Sequence, residues 1–252
     1  MSDWNPEKYL QFKRQRTQPA KDLAARLLDF SPASAVDIGC GPGNSTAVLK
    51  ELFPSAKLIG IDRSESMIAR AREKYADISF EVCSAHELRG KFDLIFSNAC
   101  FQWIPGHEEL IPALMGKLNH GGYLAVQMPM NQEEPLFQLI KETVSQPKWN
   151  FENSNLEKND VLSPQKYFDI LSCCASSFDM WESVYYHAMP SHQQLIEWVE
   201  GTRLRPYLNV LSDENKFLLK EELLEKTKKA YPFTDSGEVI LRFRRLFFTA
   251  QK

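Results

Sequence analysis

From residue 17 to residue 129, short apolar runs alternate with stretches of helical period, and this alternation limits the possible folds more than any other feature. The runs read AVDI (35–38), KLIGI (57–61), ISFEV (78–82), FDLIF (92–96) and YLAVQM (123–128). They are rich in β-branched and aromatic residues throughout, which predicts strands buried on both faces, as in a parallel sheet. The stretches between them predict helices over 44–53, 64–75 and 108–118, long enough to return the chain across the sheet. Two later extended segments, FDMWESVYYHAM (178–189) and EVILRFRRLFFTA (238–250), bring the strands to seven. The expected fold is α/β, with a doubly wound, mostly parallel seven-stranded sheet.

After Pro129 the pattern changes. Residues 131–163 are polar and include WNFENSNLEKND, which reads as a connector, and helical stretches return near 164–174, 192–200 and 213–230. Residues 17–130 are therefore expected to form a core, completed by 164–189 and 237–252. Residues 1–16, 131–163 and 190–236 are expected to form a helical lobe over a substrate cleft, within one continuous unit. Thirty basic against thirty-three acidic residues give a net charge of −3, so no global positive field favours nucleic acid or an anionic membrane. No apolar run nears the roughly 20 residues that span a bilayer. The start, MSDWNPEKYL, lacks a signal-peptide layout, and five cysteines without a C-x-x-C pair suit a reducing compartment. A cytoplasmic protein, monomeric or weakly dimeric, is expected.

One corner concentrates flexibility: VDIGCGPGNST, residues 36–46, places Gly39, Cys40, Gly41 and Gly43 between a buried strand and a helix start. Glycines permit positive φ and close approach of a ligand, and the helix start offers free N–H groups. The next strand ends at Asp62, 23 residues after Gly39, where an acid can accept hydrogen bonds from ribose hydroxyls. Helix capping is the competing role for Asp62. On the ribose reading, Asp62→Ala weakens nucleoside binding and leaves the melting of the empty protein almost unchanged.

The nucleoside is not a typical dinucleotide. The third glycine of G-x-G-x-x-G is replaced by Asn44, and Asp37 puts a negative charge where a pyrophosphate would sit. A cationic ligand without phosphates suits that charge, and S-adenosylmethionine is one.

The segments VDIGCGPGNST, GIDRSESMI and FDLIFSNACFQWI resemble the successive motifs of the class I S-adenosylmethionine-dependent methyltransferases, a Rossmann-like family. That resemblance implies that Gly39, Cys40, Gly41 and Gly43 lie under the cofactor, Asp37 reaches its amino group, and Asp62 with Arg63 serves the ribose end. It places Ser84 and Ala85, in CSAHEL, beside adenine, and Asn98 beside the methionine tail. Many relatives carry an aspartate where this chain has Ser84.

The flanking segments MSDWNPEKYLQF, FQWIP, LAVQMP, YYHAMPSH, LRPYL and RLFFTA resemble the trans-aconitate methyltransferase family. The implied reaction is methyl transfer to one carboxylate of a small polycarboxylic acid. A carboxylate is ionised at neutral pH, so the chemistry needs alignment and removal of water rather than a general base, and no catalytic base or metal is assigned. Arginines suit the remaining carboxylates. Strand parity puts Arg245 on one face with Leu241, Phe243 and Phe247, and turns Arg242 and Arg244 the other way; a structural ion pair, or a bulge that turns it outward, is the competing role for Arg245. The resemblance adds Arg205, Gln102 and Trp103. Arg16 shares a helical face with Tyr9 and Phe12, either as part of a lid or as a plain amphipathic helix. Tyr185 and His187 share a strand face with Trp181; they are substrate candidates, with core packing as the competing role for His187.

Two other readings share parts of the pattern. A carboxyl methyltransferase that esterifies a malonyl thioester in biotin synthesis has a similar SN…QW segment. A non-catalytic nucleoside-binding domain would keep the corner without turnover. Activity against polycarboxylates and acyl thioesters separates all three.

Overall fold

A computed structural model describes residues 13–151, 156 and 160–252. In chain order the elements are α1 (Lys13–Ala24), β1 (Ser34–Ile38), α2 (Asn44–Leu52), β2 (Lys57–Asp62), α3 (Glu65–Lys74), β3 (Ser79–Val82), β4 (Phe92–Asn98), α4 (His107–Gly116) and β5 (Leu118–Pro129). They continue with α5 (Pro135–Val144), α6 (Pro164–Cys174), β6 (Ser177–Met189), α7 (His192–Glu200), α8 (Arg205–Leu208), α9 (Asp213–Ala230) and β7 (Val239–Gln251).

The seven strands form one sheet in the order β3-β2-β1-β4-β5-β7-β6. β3, β2, β1, β4 and β5 pair in parallel, and β7 runs antiparallel to β5. Chain order reverses between β1 and β4, and such a switch point is where open α/β sheets bind ligands, outside the carboxyl ends of the strands. The central strands are sealed on both faces: Val36, Leu94, Ile95, Phe96, Leu124 and Val126 are all fully buried. The predicted continuous hydrophobicity therefore corresponds to burial on both faces. β5 starts earlier than expected, at Leu118, with a pairing irregularity between Phe92 and Leu94.

The chain divides into two compact units. The sheet unit comprises Arg14–Pro129, Asn159–Ser183 and Arg245–Lys252. The second comprises Met1–Lys13, Met130–Lys158 and Val184–Arg244. Its own core gathers Leu136 and Ile140 of α5, Trp198 and Val199 of α7, Leu219 and Leu223 of α9, and Leu241 and Phe243 of β7. Helix α5 lies inside the polar stretch 131–163, expected to be part of the helical lobe but with no helix located there, and it buries Leu136, Ile140 and Val144 at helical spacing.

Candidate functional site

The glycine corner is a strand-to-helix turn fastened to β2. Backbone N–H groups of Gly39 and Cys40 both donate to the Ile61 carbonyl, at 2.8 and 3.0 Å. Gly39 has φ +70°, and a Cβ there would lie 2.1 Å from Cys100 Sγ, so no larger residue fits. Gly41, at φ +53°, differs: a Cβ there meets nothing within 4 Å, leaving open space above the loop. Gly43 is the left-handed N-cap of α2.

Two acids flank this turn. Asp37 is fully buried, and its Oδ2 accepts from Ser45 Oγ at 2.6 Å and Thr46 Oγ1 at 2.7 Å. Its Oδ1 is buried with no hydrogen-bond partner among the described residues. Burial raises its pKa to about 7; the two hydroxyls oppose the rise and the negative charge of Asp62 adds to it. Asp62, half-buried, accepts from the Gly41 N–H at 3.0 Å and from the Ser64 N–H at 2.9 Å. Burial also raises its pKa, against those backbone donors. The N-cap of α3 is Ser64, whose Oγ accepts from the Met67 N–H at 3.4 Å. Asp62 is thus a clamp on the glycine loop and not the side-chain cap.

Arg63, next in sequence, is exposed. At the end of β3 the Ser84 N–H donates to Glu87 Oε2 at 3.4 Å, opening a short turn in which Ala85 is buried. Cys40 is buried and Cys100 turns its sulfur toward Gly39. Burial, reinforced by Asp62 and Asp37, pushes the Cys100 thiol up to about 12 and raises Cys40 further. Ser45 and Thr46 are the site residues that sequence reasoning missed. They follow the glycines directly, where a helix's first turn faces the strand end.

Farther along the same carboxyl edge, β4 ends at Asn98, whose Oδ1 is buried without a partner. Ala99 then takes φ +54°, a strained conformation for a residue with a Cβ. Its N–H donates to the Gln127 carbonyl at 2.9 Å, and its carbonyl accepts from Gln102 Nε2 at 2.8 Å. Gln102 Oε1 is left buried and without a partner, and Trp103 closes the turn half-buried. On β7, Arg245 is 4% exposed and donates from Nη1 to Gln127 Oε1 at 3.3 Å. Strand parity predicted this: Leu241, Phe243 and Phe247 are buried too, whereas Arg242 pairs outward with Glu134 and Arg244 with Glu133 at 3.6 Å. Gln127 gave no signal in the sequence, where it sits inside an ordinary apolar strand.

The other substrate candidates belong to other elements. Arg16 belongs to α1, but its side chain falls outside the described residues, as do Tyr9 and Phe12. Tyr185, His187 and Arg205 belong to the second unit. His187 is buried there against Trp198 (ring centroids 4.9 Å apart) and Phe243 (5.8 Å), and stacks with Tyr185 at 6.2 Å. Arg205 opens α8 half-buried. His107 is engaged by Tyr167 Oη at 2.6 Å and the Phe101 carbonyl at 2.9 Å. Among the described residues no group of three or more His, Cys, Asp or Glu could hold a metal ion, and no helix is long and apolar enough to cross a membrane.

A partnerless buried carboxylate oxygen, an acid clamped at the loop and open space over Gly41 fit a ligand with a cationic end and hydroxyls. A family profile described as a methyltransferase domain matches residues 30–195. A trans-aconitate 2-methyltransferase from Escherichia coli O157:H7 (strain EC4115 / EHEC) is 41% identical over 254 residues, covering 100% of this chain and 99% of the relative. One from Shigella flexneri is 40% identical with the same coverage. Among solved structures, the YcgJ protein from Bacillus subtilis matches with a TM-score of 0.60 at 14% identity, over 93% of this chain and 98% of that one. That likeness shares the fold, while the near full-length identities carry the family. The sheet order, the acid-flanked glycine corner and these matches together make the chain a member of the trans-aconitate 2-methyltransferase family, within the S-adenosylmethionine-dependent methyltransferases.

Proposed function

We propose that this protein methylates one carboxylate of trans-aconitate and that Arg245 holds a second carboxylate of the same molecule. S-adenosylmethionine, when bound, supplies a methyl group made electrophilic by its sulfonium. The chain's own part is to bind, orient and dry the two reactants. Asp37 offers Oδ1 to a cationic group, and Asp62 has lone pairs left beyond its two backbone hydrogen bonds for ribose hydroxyls. Gly39, Cys40, Gly41 and Gly43 admit the cofactor to the loop, Arg63, Ser84 and Ala85 border its nucleoside end, and Asn98 borders its tail. The acceptor carboxylate is already ionised at neutral pH, so no side chain has to remove a proton. Fixed alignment and exclusion of water then carry the rate.

The single observation supporting this reading is a buried guanidinium at the sheet edge that also carries the acid-flanked corner. An anion suits the first and a cation the second. Gln102 and Trp103 are further candidates from the neighbouring turn. Arg16 from its helical face, Tyr185 and His187 from their strand face and Arg205 from the family resemblance remain candidates. A single copy acting on a small molecule in the cytoplasm suffices for this role.

The test is turnover of labelled S-adenosylmethionine against a panel of polycarboxylates and malonyl thioesters, using wild type, Arg245→Gln and Arg242→Gln. Arg245→Gln should lose about 2–4 kcal/mol in kcat/KM for trans-aconitate, with the affinity for S-adenosylhomocysteine within about twofold. Arg242→Gln, on the outward face, should keep normal kinetics. Preference for a malonyl thioester would replace the substrate. Normal trans-aconitate turnover by Arg245→Gln would move the substrate site elsewhere.

A further inference from the structure

Three polar side chains line up across the carboxyl edge of the sheet. Asn98 of β4 stands in register with Gln127 of β5, and Gln127 stands in register with Phe247 of β7. Register partners share a face, and Phe247 shares its face with Arg245 two residues away. Asn98, Gln127 and Arg245 therefore make one diagonal row on one face, drawn from three strands.

Gln127 is the middle of that row and is wholly buried. Its Oε1 accepts from Arg245 Nη1 at 3.3 Å. A guanidinium carries only donors, so the amide has to turn its oxygen toward Arg245. That orientation commits Nε2 to the opposite side, and Nε2 is buried without a hydrogen-bond partner among the described residues. An amide donor in this state is costly, and a leucine or methionine would fill the same volume without the cost. The position makes sense when an acceptor arrives with the ligand.

We infer that Gln127 is a substrate-recognition residue, whose Nε2–H donates to an oxygen of a carboxylate that is not the one methylated, beside the Arg245 guanidinium. The inference rests on the reading of Arg245 as a carboxylate holder. Guanidinium and amide together offer two donor groups of different charge to the two oxygens of one ionised carboxylate. A neutral donor adds direction without a second buried positive charge. An ester at that position would lose the negative charge that favours a neighbouring guanidinium, so the pair selects which carboxylate is left unmethylated.

Two variants test this. Gln127→Glu keeps an acceptor facing Arg245 and replaces the donor by a second anion; Gln127→Met removes both functions at similar volume. For Gln127→Glu the KM for trans-aconitate should rise about 10- to 100-fold, the loss typical of a hydrogen bond to a charged group. Gln127→Met should fall between it and wild type. Calorimetry should find S-adenosylhomocysteine affinity within about twofold of wild type for both, as expected of a residue that meets only the acceptor. On a set of dicarboxylates, each lacking one carboxylate of trans-aconitate, the penalty should disappear for the one missing the recognised group. An unchanged KM in both variants, or the same penalty on every dicarboxylate, overturns the inference. Arg245→Gln run alongside separates the two claims: impaired Arg245→Gln with normal Gln127 variants sinks only the role of Gln127, while normal Arg245→Gln sinks the reading beneath it. Should Gln127→Glu fail to fold, Gln127→Met decides alone.

Discussion

The glycine corner and the polar row occupy the same edge of one sheet and are built in opposite ways. The corner is mostly backbone: positive-φ glycines, N–H groups fixed on the Ile61 carbonyl and, at Gly41, on Asp62, with Asp37 held by the hydroxyls of Ser45 and Thr46. The row is all side chain, contributed by residues 98, 127 and 245. A site made from backbone conformation has to be written locally, because φ is a property of successive residues. A site made from side chains can be distributed over the chain, since the sheet register brings them together. The charges differ as well. The corner is acidic and the row ends in a guanidinium, charges that suit the proposed cationic donor and anionic acceptor.

Breaking the corner should have the largest effect at Gly39. Its positive φ and the Cys100 contact at 2.1 Å mean that Gly39→Ala should cost about 3 kcal/mol or more of stability, from overpacking plus left-handed strain. A denaturant titration of the empty protein measures it, and a midpoint near wild type would mean that the loop can relax.

Asp37 should show its burial as a pH dependence. The unfolded chain releases this proton near 3.8 and the folded chain near 7, so the folded state holds more protons between these values. Its contribution to stability therefore falls as pH rises through that window, by as much as a few kcal/mol, and levels above it. Asp37→Asn should flatten that slope in melting curves from pH 5 to 8. An ammonium group beside Asp37 favours the carboxylate, so binding of S-adenosylhomocysteine through its α-ammonium near pH 6.5 should release protons, seen as a buffer-dependent calorimetric heat. Equal heats in all buffers would mean that Asp37 is ionised before the ligand arrives.

Asp62→Ala corrects an expectation. Spacing alone predicted a loss confined to the cofactor, but the carboxylate also holds the Gly41 and Ser64 N–H groups. The empty protein should itself lose about 1–3 kcal/mol, alongside at least tenfold weaker S-adenosylhomocysteine binding. A binding loss with unchanged melting would restore the simpler view. The smallest stability effect should come from Gly41→Ala, about 1 kcal/mol of conformational strain, because its Cβ meets no protein atom. Its effect on cofactor affinity should be larger than that on melting, the reverse of Gly39.

The same contrast explains what the sequence made legible. Helices α6, α7 and α9 begin and end where their patterns predicted, because serines 163, 191 and 212 cap them and accept from the N–H three residues on. Helix α5 was hidden, since Glu134 gives it no side-chain cap and its neighbours are polar. Asp62 and the glycines were readable from spacing. Arg245 was readable from parity, because a charge in a buried apolar face is conspicuous. Gln127 was not, since its meaning depends on which residues stand on the adjoining strands. Ser45 and Thr46 stand in the motif with no role that spacing reveals, as their hydroxyls matter only because Asp37 is buried.

The two thiols beside the corner bear on self-protection. A sulfonium donor is an alkylating agent, and a thiolate is the protein nucleophile most able to consume it. Burial together with the charges of Asp62 and Asp37 keeps Cys100, pushed up to about 12, and Cys40 in the S–H form at neutral pH. With the cofactor placed at the corner as proposed, the acids that favour its cation also disarm the thiols beside it. Iodoacetamide should accordingly label exposed Cys173 long before either of them in the folded protein. The enzyme's chemical selectivity thus begins before any substrate arrives, in the neutrality of its own sulfur.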